Sequence, residues 1–251
     1  MTLGHFEAGH GWEAQLRQYI TKKYRRDLAG LGELDPNRLA GLLRGEILQG
    51  RPYATVQWVL RLAPFRPLEL YFLFDDDPEF GADLRVFYAR KSLVVPTEDA
   101  YVFAWDYLAI LARYGRGAFS LAESSPGPDW LPFPDIAPDT GGPMENVSLG
   151  AREELLRLLS PDLLQVALMR LDTGALAEEA PGGWGVVWPL LGDLAFRLRC
   201  LPDGIELAFD SHGGRKYAPE LLVSFAWLYI NALLRECRQV DPSLPRLSRY
   251  F

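Results

Sequence analysis

Hydrophobic positions along this chain follow two alternating periods. From Trp12 to Ala29, apolar residues fall at 12, 16, 19, 20, 24 and 28, which predicts one helix. A shorter helix is predicted from Pro36 to about Leu48, capped by Asp35 with proline at its first position. The period then drops to two. Val56, Trp58, Leu60 and Leu62 alternate with Thr55, Gln57, Val59 and Arg61 in a strand over Tyr53–Leu62. Leu68, Leu70, Phe72 and Phe74 alternate with Glu69 and Tyr71, and Leu84–Arg90 makes a third run. Short connections at Ala63–Pro67 and Asp75–Asp83 make these an antiparallel meander. A helix follows, with Thr97 as its expected N-cap and Gly115 at its end. It is apolar on nearly all sides, so burial on more than one face is expected.

The second half repeats the order. Helices are predicted from about Ser148 to Leu159 and from Pro161 to Leu171. Strands follow at Trp184–Leu190, Leu194–Leu201 and Ile205–Asp210, then a helix from about Glu220 to Arg238. The pentapeptides Phe103-Ala104-Trp105-Asp106-Tyr107 and Phe225-Ala226-Trp227-Leu228-Tyr229 stand 122 residues apart. Arg90-Lys91 and Arg215-Lys216 stand 125 apart, as do Asp35-Pro36 and Ser160-Pro161. Order and spacing together predict an α+β fold made by internal duplication of a helix-helix-three-stranded meander-helix unit, with two lobes about a pseudo-two-fold.

The expected lobes are 1–114 and 148–251. Between them, residues 115–147 hold six prolines and read as a linker. Trp130, Leu131, Phe133 and Ile136 are too apolar for a free tether, so this linker is expected to pack on a lobe surface. Residues 1–11 read as a loose arm, and Pro242–Phe251 as a docked tail.

Composition narrows the function classes. Hydrophobic residues make up 49% and charged residues 24%, with a net charge of −7. That balance opposes general nucleic-acid binding. The basic stretch of Lys22, Lys23, Arg25 and Arg26 reads as a solvated face or as a docking surface for an anion or an acidic partner. No apolar run reaches the roughly 20 residues needed to span a bilayer, so a cytoplasmic protein without membrane contact is expected. Cys200 and Cys237 lie in no paired motif, and His5 and His10 lack a third ligand, so no metal or cofactor is expected.

The carboxylates of Asp75-Asp76-Asp77-Pro78-Glu79 lack calcium-loop spacing and read as a solvated hairpin tip. The richest loop is Asp210-Ser211-His212-Gly213-Gly214-Arg215-Lys216, just before a helix. Its amides with Arg215 and Lys216 could hold a phosphate or carboxylate, with His212, Gly213 and Gly214 in the cradle. Arg90 and Lys91 are the equivalent basic pair in the first half. Adjacent Ser211 and His212 do not make a nucleophile–base pair. Two functions remain open. One is a non-enzymatic binding or accessory protein with another protein as partner. The other is an enzyme or sensor for a small anionic ligand held by the Gly-Gly-Arg-Lys loop.

Overall fold

The structure is a computed structural model that describes residues 1–49, 56–77, 79–121, 126–127, 129–136 and 149–246. Tyr53–Thr55 of the first predicted strand, residues 137–147 of the proline-rich segment, Ser148 and the Tyr250-Phe251 end lie outside the described residues. The described residues form eight α-helices and two antiparallel sheets, a mixed α+β architecture. The chain divides into two compact units, Met1–Glu123 and Ser124–Phe251. Among the described residues, no helix is long and apolar enough to cross a membrane.

In the first unit, helix α1 (Gly9–Gln18) runs into a π-helical turn, Tyr19–Lys23, and then α2 (Arg25–Ala29). The single helix predicted there is therefore interrupted. Tyr24 donates its N–H to Tyr19 O at 2.9 Å, one residue beyond the α-helical partner. Helix α3 (Pro36–Leu42) is capped by Asp35, whose carboxylate accepts from the N–H of Asn37 at 2.9 Å. It stops six residues earlier than predicted. Arg44 adopts a left-handed φ of 54°, and at Gly45 a Cβ would stand 2.6 Å from Arg61 O. The chain thus turns tightly into β1 (Glu46–Leu48), a strand too short to show alternation in the sequence. Strands β2 (Trp58–Phe65), β3 (Leu68–Asp77) and β4 (Gly81–Tyr88) complete a sheet of order β1-β2-β3-β4. The three predicted strands thus gain a fourth. Asp75–Asp77 extend β3 rather than forming its turn, pairing with Asp83, Ala82 and Gly81.

Helix α4 (Thr97–Gly115) lies on this sheet with Phe103, Ala104, Leu108, Ile110 and Leu111 fully buried. Its Phe103 ring meets Phe65 and its Tyr107 ring meets Phe72. Full burial of one such aromatic contributes about 2–3 kcal/mol. Thr97 is not the N-cap. Pro96 holds that position, and the Thr97 hydroxyl donates instead to Glu7 O at 2.6 Å. Residues 1–11 are also not a loose arm. Leu3 and Phe6 are buried, and the Phe6 ring packs edge-on to Tyr88 at 5.0 Å.

In the second unit, α5 (Ala151–Arg157) and α6 (Pro161–Leu171) precede β6 (Leu176–Ala180), β7 (Gly183–Leu191), β8 (Leu194–Cys200) and β9 (Ile205–Asp210). A short turn, α7 (Gly213–Lys216), leads to α8 (Pro219–Val240). Trp188, Phe196, Phe209 and Phe225 are fully buried between sheet and helix. One strand comes from the segment read as a linker: β5 (Trp130–Pro132) pairs antiparallel with β9. The sheet order is β5-β9-β8-β7-β6. Phe133 and Ile136, just after β5, are buried.

Candidate functional site

The loop after β9 holds its own anion. Asp210 has no exposed surface, and its carboxylate accepts from four backbone amides. Gly127, His212 and Gly213 donate to Oδ1 at 2.9, 3.1 and 2.8 Å, and Ala195 donates to Oδ2 at 2.7 Å. Carboxylates commonly collect amides at a chain turn, because each amide satisfied within the fold avoids an unpaired buried donor. Gly213 is required by packing. A Cβ there would lie 2.4 Å from Leu194 Cδ1 and 2.7 Å from Asp193 O.

Lys216 is engaged in the same region. Its Nζ binds the fully buried carboxylate of Asp193, which also accepts from the Tyr217 hydroxyl at 2.8 Å. His212 is half-exposed, with Nε2 4.0 Å from the same carboxylate. Gly214 is buried, and Arg215 is exposed with no ion pair among the described residues. Of the predicted cradle, His212, Gly213 and Lys216 therefore gather around two buried carboxylates of the protein itself.

The basic pair of the first unit does similar work. Lys91 binds Glu69, while Arg90 is exposed. Glu69 is buried and also holds the guanidinium of Arg61 at 2.9 Å and the hydroxyl of Tyr71. Burial alone would raise its carboxyl above the ordinary value. Hydrogen bonds from Arg61, Lys91 and Tyr71 outweigh it and bring the pKa down to about 2. Arg90-Lys91 and Arg215-Lys216 belong to different units, and each lysine neutralises a buried acid of its own unit. Glu69 and Asp193 were not singled out from sequence as charge partners, and Asp210 was named only as the acid that opens the loop. Their signal is a lone carboxylate beside large apolar residues, as in Leu68-Glu69-Leu70 and Phe209-Asp210. Cys200 and Cys237 are buried. Burial pushes both thiols up, that of Cys237 to about 12, which disfavours the thiolate form.

An open cavity of about 330 Å³ lies along the edge strand β4. The hydrogen bonding of β4 fixes which main-chain groups face it. Ala89 donates to Glu69 O at 3.0 Å, so its amide points toward β3. Alternation along a strand then turns Tyr88 outward. There Tyr88 donates to Met1 O at 2.7 Å, and the Met1 ammonium donates to Tyr88 O at 2.8 Å. The same alternation turns the N–H and C=O of Val86 and Leu84 outward. Met1 and Thr2 close the Tyr88 end. Leu16, Arg17, Ile20 and Thr21 form the opposite wall, from α1 and the π-helical turn. Leu3, Leu16, Ile20 and Leu84 give the cavity an apolar lining. No family model, curated protein or solved structure matches this chain.

Proposed function

We propose that the protein is a non-enzymatic binding protein, and that its site is the cavity along β4, which takes an extended peptide segment of another protein as an added strand. The outward amides of Val86 and Leu84 carry this reading. Main-chain pairing at a sheet edge gives affinity, and pockets for alternate side chains give selectivity.

A correspondence within the chain describes the Tyr88 end of this edge. We infer that the two units are copies of one ancestral unit. Supporting this, Phe65↔Leu68 and Leu191↔Leu194 each close a two-residue turn after a register shift. Leu68 and Leu194 stand 126 apart. Leu70 pairs with Tyr88 and Phe196 pairs with Phe209, which makes Phe209 the counterpart of Tyr88. Met1 then corresponds to Leu131, since each lies antiparallel against that residue. Both are followed by a single 3₁₀ turn, at Leu3–His5 and Phe133–Asp135. In the second unit β5 covers Phe209 as Met1 covers Tyr88, and its pairing ends at Ala208, short of Leu207 and Ile205, the counterparts of Val86 and Leu84.

The test is to pan a phage library of random decapeptides against the full chain and against Val86→Pro. Proline there removes an outward donor and no bond of the β3–β4 ladder. Peptides retained by the wild type are expected to be lost on Val86→Pro. Thr21→Trp, which fills the cavity from the helical wall, should lose them as well. Equal retention by all three proteins overturns the proposal.

A further inference from the structure

Helix α6 presents a second apolar face to solvent, and we propose that two copies of this chain meet there, packed antiparallel about a two-fold axis at Val166. This does not rest on the reading of the β4 cavity. One face of α6 packs toward α8 and buries Leu164, Ala167, Leu168 and Leu171. On a helix surface, residues three and four apart are neighbours. The outer face therefore carries Asp162, Leu163, Val166, Met169 and Arg170. Val166 is 37% exposed and Met169 is 65% exposed, with Leu163 half-buried beside them. Exposed leucines stand beyond both ends of the helix, Leu158 at 56% and Leu176 at 70%. One exposed apolar side chain needs no explanation, whereas a row of them marks a contact surface.

The first unit supplies an internal comparison. Asp35-Pro36 opens α3 as Ser160-Pro161 opens α6, 125 residues later. At that offset, Leu163, Val166 and Met169 correspond to Arg38, Gly41 and Arg44. All three of those residues are exposed. Where this face meets water, the chain carries arginine and glycine. In α6 it carries leucine, valine and methionine at the same places, and burying such side chains is favourable.

The order of residues identifies the occupant. Leu163 and Met169 lie three residues to either side of Val166, and Asp162 and Arg170 lie four to either side. An antiparallel copy crossing at Val166 sets valine on valine, leucine on methionine and aspartate on arginine. Each unlike contact then occurs twice, as an isologous interface requires. Asp162 is exposed, and Arg170 keeps half of its side chain exposed while its Nε holds Glu236 at 2.7 Å. A guanidinium carries further N–H donors, so Arg170 can hold Asp162 of the second copy as well. The face is one helix wide, short of the roughly 800 Å² per partner of a stable complex. The dimer is therefore weak, half formed at about 50 µM.

The experiment is sedimentation velocity on the full chain from about 5 to 500 µM. The wild type is expected to pass from monomer to dimer across that range. Val166→Glu sets two carboxylates on the axis and should remain monomeric, and Met169→Lys should weaken the dimer at least about tenfold. Both positions are exposed, so each variant should keep its melting temperature within about 2 °C of the wild type. A residue on the axis meets its own copy. Val166→Cys should therefore form a disulfide-linked dimer under mild oxidation, at least about tenfold faster than Gln165→Cys, which faces away from the axis. A wild type that stays monomeric throughout overturns the proposal. So does a dimer that survives Val166→Glu, and one that also dissociates in Val86→Pro would be assigned to the β4 edge instead. Equal cross-linking of the two cysteine variants overturns the two-fold at Val166.

Discussion

Lys216 reaches from the turn after β9 to the carboxylate of Asp193, a residue with no exposed surface. A sequence reading places Lys216 in a ligand cradle, whereas the structure makes it the counter-ion of the core. Removing one partner of a buried pair leaves an uncompensated charge, at a cost of about 3–5 kcal/mol. Lys216→Met is therefore expected to lower the urea midpoint steeply. Asp193→Asn combined with Lys216→Met should recover much of that loss, because no charge is then left behind. A single substitution costing under about 0.5 kcal/mol would show that the pair does not stabilise the fold.

Asp210 gives a test based on chemical rescue. Asp210→Ala leaves the amides of Gly127, Ala195, His212 and Gly213 without their carboxylate. The expected loss is about 3–4 kcal/mol, near one per orphaned donor. Formate has the size of the deleted carboxylate and should raise the melting temperature of Asp210→Ala while leaving the wild type unchanged. If formate or phosphate stabilises the wild type equally, the loop has donors to offer a ligand, and the anion-binding reading of Gly213, Gly214 and Arg215 returns.

Glu69 predicts a pH dependence with a definite sign. Its folded pKa, about 2, lies below the ordinary 4.5, so the folded state binds fewer protons in between. The stability it contributes is present above about pH 4.5 and is lost as pH falls toward 2. The magnitude is on the order of 3 kcal/mol. Urea melts from neutral to acid pH should show this slope in the wild type and a flatter one in Glu69→Gln. Parallel profiles for the two proteins would mean that other carboxylates account for acid sensitivity.

Long periodic elements were legible in the sequence, and short or context-dependent ones were not. Phe103 and Phe225 mark helices whose apolar character overrides any one face, and both are fully buried as expected. The alternation in Leu68–Phe74 fixed β3 because a half-buried strand must alternate. By contrast, β1, β5 and β6 have three, three and five residues, too few for a period. The prolines around Trp130 signalled a linker, yet proline is compatible with an edge strand, which is the role of β5. The basic pairs were visible, but their partners were not. Glu69 lies 22 residues before Lys91 and Asp193 lies 23 before Lys216, and only the fold brings them together. The β4 edge was beyond reach for the same reason. That Val86 faces outward depends on the bond from Ala89 to Glu69.

The open edge can be checked without any partner, by amide hydrogen exchange resolved to single residues. Arg85 and Phe87 point into the ladder with Leu73 and Tyr71, so their amides should be protected. Tyr88 donates to Met1, and Phe209 lies in register with Leu131, so those two amides should be slow as well. Val86 and Leu84 donate to the cavity and should exchange at least about a hundredfold faster than Arg85 and Phe87. Adding a binding decapeptide should slow these two and leave Arg85 and Phe87 as they were. If Val86 and Leu84 are as slow as their neighbours in the free chain, the edge is already satisfied, and a strand has no donors there to meet.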